Sequence, residues 1–179
     1  IPTIAPYILP DLLSMLAEAY PDLEPRFVEE QTQHLITRLR NGNLDLAIMA
    51  LPSEATGMVD SPLYTEKFSI VCPPDHPIAG REDVELAELK DLDLLLLDDG
   101  HCLRDQIVDL CRHADVNPAE ATNSVTRASS LTTIMQLVRG GLGCTLVPES
   151  ALATECHGKD VAIAHFASDV TAEREVGLV

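Results

Sequence analysis

Leu9, Leu12, Leu13, Leu16 and Tyr20 recur at helical spacing through APYILPDLLSMLAEAYP, and the run stops at Pro21. The pattern predicts a helix following a strand-like opening, IPT. LEPRFVEE then reads as extended, and TQHLITRLRNG as a second helix that closes on Gly42. LDLAIMAL, residues 44–51, reads as an apolar strand. This β-α-β-α-β order predicts a parallel sheet flanked by helices.

Beyond the polar loop PSEATGMVDS, YTEKFSIVCPP has the pattern of a strand leading into a second lobe. DLDLLLLDD is apolar on both of its faces, as a strand covered from both sides must be. A helix follows from Cys102 to about Ala114. SVTRA then reads as a short strand, SSLTTIMQLVRGG as a capped helix ending in glycine, GCTLVP as a strand and PESALATE as a helical turn. DVAIAHF and EREVGLV are extended. The fold class expected is α/β.

The chain has 179 residues, 46% of them hydrophobic, enough for a sizeable core in one domain or two small lobes. Its longest apolar run, LDLLLLDD, is too short to span a bilayer, and no basic leader precedes a short apolar stretch. The expectation is a cytoplasmic protein. A formal charge of -17 repels phosphate, so this segment by itself is not expected to bind DNA. The chain opens and closes on apolar, strand-like residues, Ile1 and Val179, which suggests a piece of a longer protein.

Five cysteines, Cys72, Cys102, Cys111, Cys144 and Cys156, show neither a CxxC pair nor a zinc spacing, so no metal and no cofactor is expected. Reduced thiols fit this set, and any disulfide among them is expected to be transient and functional. Cys102 and Cys111 lie nine residues apart in GHCLRDQIVDLCR. Nine helical steps separate their backbones by about 13.5 Å and place the side chains on opposite faces. A disulfide requires Cα atoms within about 7 Å, so joining these two must unwind the helix. A chemical event at sulfur would become a change of shape.

Cys102 follows Gly100 at the mouth of its helix, where free amide groups and the helix dipole favour a thiolate. Asp98, Asp99 and Asp105 oppose that effect, while Arg104 and His101 can offset them. An ordinary thiol is roughly 3% ionised at neutral pH, so full ionisation gains about thirty-fold, or about 2 kcal/mol. Faster reaction with a peroxide needs donors that stabilise charge on the departing oxygen. The candidates are Thr3, at the end of the first strand, Thr32, at the start of the helix after the second, and His101; Gln106 and Arg174 come after them. Each has a plainer reading: helix caps for the threonines, a surface group for the histidine. Cys102 can equally be a buried structural cysteine. Cys111 is the candidate for the resolving thiol, or else core filler beside Val108 and Leu110. Cys72 and Cys144 fall in apolar strands and read as inert, while Cys156, near a loop, reads as exposed and without a partner.

The remaining patterns carry no chemistry. VRGGLGC follows a helix and precedes a strand, the reverse of a phosphate loop, and GxSxG, HExxH and P-loop motifs are missing. Asp98/Asp99 and Glu29/Glu30 are sequence neighbours whose side chains diverge in extended chain.

Three stretches, IPTIAPYILP, EQTQHLITRLRNGNLDLAIMAL and LLLLDDGHCLRDQIVDLC, resemble the regulatory domain of the OxyR group of LysR-type transcriptional regulators. NGxLDLAI and GLGxTLVP are patterns of LysR-type effector domains in general. The resemblance implies two Rossmann-like lobes, similar to type II periplasmic-binding proteins, around a cleft and hinge. Lobe I would comprise 1–67 and 168–179, and lobe II 68–167. It also implies Cys102 as the peroxidatic and Cys111 as the resolving cysteine, with Thr3, Thr32 and His101 binding hydrogen peroxide and Gln106 and Arg174 at matching places. A homodimer or tetramer, a thioredoxin- or glutaredoxin-type reductant, and DNA contacted through a winged helix-turn-helix absent from this chain follow from the same likeness. On that reading the protein is a redox sensor, not an enzyme. The two other readings are a LysR-type effector domain that binds a small metabolite and a thiol peroxidase.

Overall fold

The computed structural model describes residues 1–117 and 122–179, with 122–126 described for their backbone only. Among the described residues, helices α1 (Ala5–Ala19), α2 (Thr32–Arg40), α3 (Cys102–His113), α4 (Leu131–Arg139) and α5 (Glu149–Glu155) are interspersed with seven strands. The strands are β1 (Ile48–Leu51), β2 (Ser61–Cys72), β3 (Leu94–Leu97), β4 (Thr122–Ala128), β5 (Thr145–Pro148), β6 (Ala162–His165) and β7 (Glu173–Leu178). A short 3-10 helix, Leu86–Asp91, precedes β3.

β2 organises the molecule because its partners change half-way along. Ser61 to Lys67 pair with β7, which in turn pairs with β1; Phe68 to Cys72 lie between β5 and β6. The hydrophobic residues divide in the same way. One buried cluster gathers Ile1, Ile4, Leu35, Ile36, Met49 and Val176. A larger one gathers Ile70, Leu94, Leu95, Ile107, Met135 and Leu146.

The helices fall where the periodicity places them. Ser130 caps α4 by accepting from the Thr133 amide, and buried Leu131, Ile134, Met135 and Val138 give that helix its inner face. The parallel sheet expected from the opening run is not what forms. Every pairing within the five-stranded sheet is antiparallel, and β3 with β4 is the parallel pair. IPT makes turns leading into α1 instead of a strand, although the Ile1 amine donates to the Ile48 carbonyl at 3.1 Å. LEPRFVEE takes no regular structure and joins no ladder, and Leu23, Phe27 and Val28 stay exposed. Extended chain becomes a strand only when a neighbour takes its amides and carbonyls. Nor does α1 bury any residue fully, and it leaves Leu13 and Met15 in solvent.

Candidate functional site

Helix α3 presents one apolar stripe to the larger core: Leu103, Ile107 and Cys111, spaced by four, are all buried. Cys102 lies off this stripe at the first helical position, half-buried, and packs against the smaller cluster containing Ile4 and Leu35. One helix thus places two free thiols in two different cores. It is unbroken between them. Burial pushes the Cys111 thiol above its ordinary value, as expected of a group waiting in the core.

His101 occupies the N-cap of α3 and is buried, contrary to its plainer reading as a surface group. Desolvation holds its imidazole below the ordinary value, with Asp98 opposing. At neutral pH the ring is therefore neutral, with one N–H to donate and one nitrogen to accept. Asp99 is engaged by Arg104 at 2.7 Å and Arg127 at 3.0 Å, which hold its carboxyl below the usual range.

Neither threonine caps a helix. Thr32 is the first residue of α2, behind Gln31 at the N-cap, and its hydroxyl makes no hydrogen bond among the described residues. Thr3 is buried in the turn before α1, where its Oγ1 accepts from Nη1 of Arg174 at 3.1 Å and its carbonyl from Nη2 at 2.8 Å. With its oxygen occupied by the guanidinium, the Thr3 hydroxyl has its proton left to give.

Arg174 is held by a residue that sequence reasoning missed. Glu66 of β2 accepts from its Nε through Oε1 at 2.8 Å, and its Oε2 accepts from the Ser150 amide at the start of α5, 3.1 Å away. The Arg174 side chain has no exposed surface and that of Glu66 6%. The signal was present: Glu66 shares a strand face with Phe68 and Ile70, where an acid needs a buried cation. Arg174 and Gln106 both line a cavity of about 300 Å³ with Leu51, Phe68 and Leu110, and Gln106 Oε1 is buried with no donor among the described residues.

A second unpredicted contact joins the helix mouths. Gln31 Nε2 donates to the Asp99 carbonyl at 3.4 Å, and its amide lies against Gly100. So Thr3 meets Arg174, Arg174 and Gln106 share a cavity, Gln31 abuts the loop leading to His101 and Cys102, and Cys111 stands apart. Gly100 has φ +91°, and a Cβ there would come within 2.9 Å of Gln31 Oε1. Gly100→Ala is expected to cost about 1–2 kcal/mol in denaturant unfolding, from the left-handed backbone, and to slow oxidation of Cys102 by parting α2 from α3. Unaltered stability and rate would show that the approach of Gln31 to Gly100 is incidental.

The LysR substrate binding domain model matches residues 1–179. The chain belongs to the LysR substrate binding domain family. A relative in Mycobacterium leprae, described as a probable hydrogen peroxide-inducible genes activator, is 48% identical over 178 residues, 99% of this chain and 56% of that protein. The chain spans about half the length of the curated relatives it matches. Among solved structures, a cysteine-to-serine variant of Corynebacterium glutamicum OxyR with hydrogen peroxide bound is 63% identical, with TM-score 0.96 over 99% of this chain and 55% of that one. The oxidised form of the same protein, equally identical over 99% of this chain and 54% of that one, superposes with TM-score 0.85. The type II periplasmic-binding-like α/β architecture expected from the sequence is what this family and these structures share.

The candidate residues are therefore of two kinds. Cys102, Cys111, Thr3, Thr32, His101, Gln106 and Arg174 are candidates that the sequence offers, by spacing or by resemblance. Glu66 and Gln31 emerge only from tertiary contacts.

Proposed function

We propose that this chain is the regulatory domain of a hydrogen-peroxide-sensing LysR-type transcription regulator, with lobe I formed by 1–67 and 168–179 and lobe II by 68–167. Its carrying observation is α3, one intact helix that holds Cys102 against the smaller core and Cys111 in the larger one. The change of ladder partners between Lys67 and Phe68 supports the lobe division.

Peroxide is taken up beside Cys102, with Thr3, Thr32 and His101 as donors, Gln106 as acceptor and Arg174 fixing Thr3. The Cys102 thiolate attacks one peroxide oxygen, the O–O bond breaks, and the departing oxygen leaves as water after gaining a proton. Cys111 then attacks the sulfenic sulfur, expels a second water and closes the disulfide. Two thiols and one peroxide thus yield one disulfide and two waters. Closure requires α3 to melt between the cysteines, withdrawing Leu103 and Ile107 from the core at about 1.5–3 kcal/mol each. The reshaped lobe reorients subunits and, through them, the DNA-binding part of the longer protein.

The better superposition on the peroxide-bound variant than on the oxidised form, at equal identity, supports reading this structure as the reduced state. The relatives' names favour peroxide sensing over metabolite binding or peroxidase turnover. A second copy of the chain covers the exposed apolar side of α1, making the dimer from which a tetramer is built. The reductant is of thioredoxin or glutaredoxin type, and the setting is the cytoplasm; no helix among the described residues is long and apolar enough to cross a membrane.

Thiol counting by mass spectrometry after stoichiometric peroxide tests the scheme. The wild-type protein is expected to lose the Cys102 and Cys111 thiols together, Cys111→Ser to stop at a trappable sulfenic acid, and Cys102→Ser to remain reduced. Undiminished oxidation of the Cys102→Ser protein would sink the proposal.

A further inference from the structure

The larger core contains two more cysteines, Cys72 at the end of β2 and Cys144 just before β5, both with no exposed surface. In the antiparallel register of these strands Ile70 faces Leu146 and the last pair is Val71 with Thr145; one further step of that register, beyond the ladder, sets Cys72 opposite Cys144. Directly opposed residues project to the same side of a sheet. The backbone of Cys144 turns the other way: its amide donates to Asp93 and its carbonyl accepts from Leu95, both beside β3. Cys72 faces Ala162 of β6 on its own far side. Neither residue therefore spends its backbone groups on the other, which makes them a narrow, non-hydrogen-bonded pair. Such pairs have Cα atoms about 4.5 Å apart, within the range a disulfide spans.

We propose that Cys72 and Cys144 are a second oxidisable pair, able to close into a cross-strand disulfide in place, and that it closes only after the Cys102–Cys111 disulfide has formed. The order rests on the function proposed above; the pairing does not. Closing the first pair takes Cys111 out of the same cluster that shields Cys72 and Cys144. Until then burial does more than exclude oxidant. It pushes the Cys72 thiol up to about 11 and the Cys144 thiol up to about 12, so almost no thiolate is present to react. Once the core opens, one thiolate attacks hydrogen peroxide and becomes a sulfenic acid with release of water. The other thiol then displaces a second water. The bond staples β2 to β5 and fixes lobe II, turning a transient signal into a state that outlasts the first disulfide. Cys156 has no such partner in register and stays free.

The test titrates the wild-type protein with hydrogen peroxide, quenches with an alkylating reagent and maps linked peptides. Three of the five thiols should remain after the first stage and Cys156 alone after the second, with a Cys72–Cys144 peptide appearing only once Cys102–Cys111 is complete. In Cys111→Ser the second pair should stay reduced at the same dose. Diamide in partly denaturing urea, which exposes the core directly, should link Cys72 to Cys144 even in that variant. Free Cys72 and Cys144 in urea with diamide, or their linkage to other cysteines, would overturn the pairing. A Cys72–Cys144 bond forming first or unchanged in Cys111→Ser would overturn the order. Failure of Cys102–Cys111 itself is read separately on the same map and overturns the order with it.

Discussion

Glu66→Ala is expected to cost about 3–5 kcal/mol of folding stability, the loss typical when one member of a buried ion pair is removed. The Arg174 side chain is entirely buried, and Glu66 is its sole carboxylate partner among the described residues. Without it the guanidinium keeps only the Thr3 hydroxyl and carbonyl, and the Ser150 amide loses its acceptor. A domain of this kind has about 5–15 kcal/mol in total, so the variant stands near the edge of folding. Glu66→Gln keeps the shape and one acceptor but not the charge, and should fall between. If Thr3 helps hold peroxide, Glu66→Gln should also slow Cys102 oxidation, since Thr3 is placed by Arg174 and Arg174 by Glu66. Denaturant midpoints and a thiol-loss time course measure the two effects. A cost of the alanine variant below about 1 kcal/mol would mean that the buried pair is compensated elsewhere.

The local elements were legible because their signals are local. CLRDQIVDLC carries a stripe of Leu103, Ile107 and Cys111 that only a helix can place on one side, and the burial of Leu94 to Leu97 is written in four consecutive leucines. The geometric conflict between Cys102 and Cys111 followed from the same periodicity. The sheet was not legible in this way. β2 takes β7, β5 and β6 as partners, segments remote in sequence, and although YTEKFSIVC reads as a strand leading into a second lobe, nothing in it says which strands its two halves pair with. Alternation of helix and strand suggested parallel neighbours, but parallel pairing needs two strands side by side. LEPRFVEE, with no ladder, shows that propensity without a partner does not make a strand.

The site divides similarly. Its candidate residues come from spacing and likeness, whereas the contacts that hold them do not, because Glu66 reaches Arg174 across 108 positions and Gln31 reaches Asp99 across 68. Cap statistics also misjudged Thr3 and Thr32. A threonine at a helix entrance usually caps, yet here Ile4 and Gln31 hold the cap positions without side-chain bonds, which leaves both hydroxyls out of the helix termini. In this fold the departures from local rules, an acid on an apolar strand face and uncapped helix mouths, coincide with the Glu66–Arg174–Thr3 chain and with the approach of Gln31 to Asp99 and Gly100.

Ile107→Ala is expected to shorten the lifetime of the Cys102 sulfenic acid by about thirty-fold or more. The side chain is buried at the middle of α3, on the stripe that anchors the helix to the larger core. Truncating it removes about 2–5 kcal/mol of packing, and each 1.4 kcal/mol taken from the closed helix raises the open population about tenfold. If Cys111 can reach Cys102 only through that open population, condensation accelerates in proportion. The initial attack on peroxide should change little, since Cys102 packs against the other cluster, one turn or more from the truncated side chain. Dimedone trapping during a stopped reaction separates the two steps: trapped sulfenic acid should fall steeply while the rate of thiol loss at Cys102 is maintained. A lifetime unchanged in a variant whose α3 exchanges its amides faster would show that the disulfide closes by some route other than melting this helix.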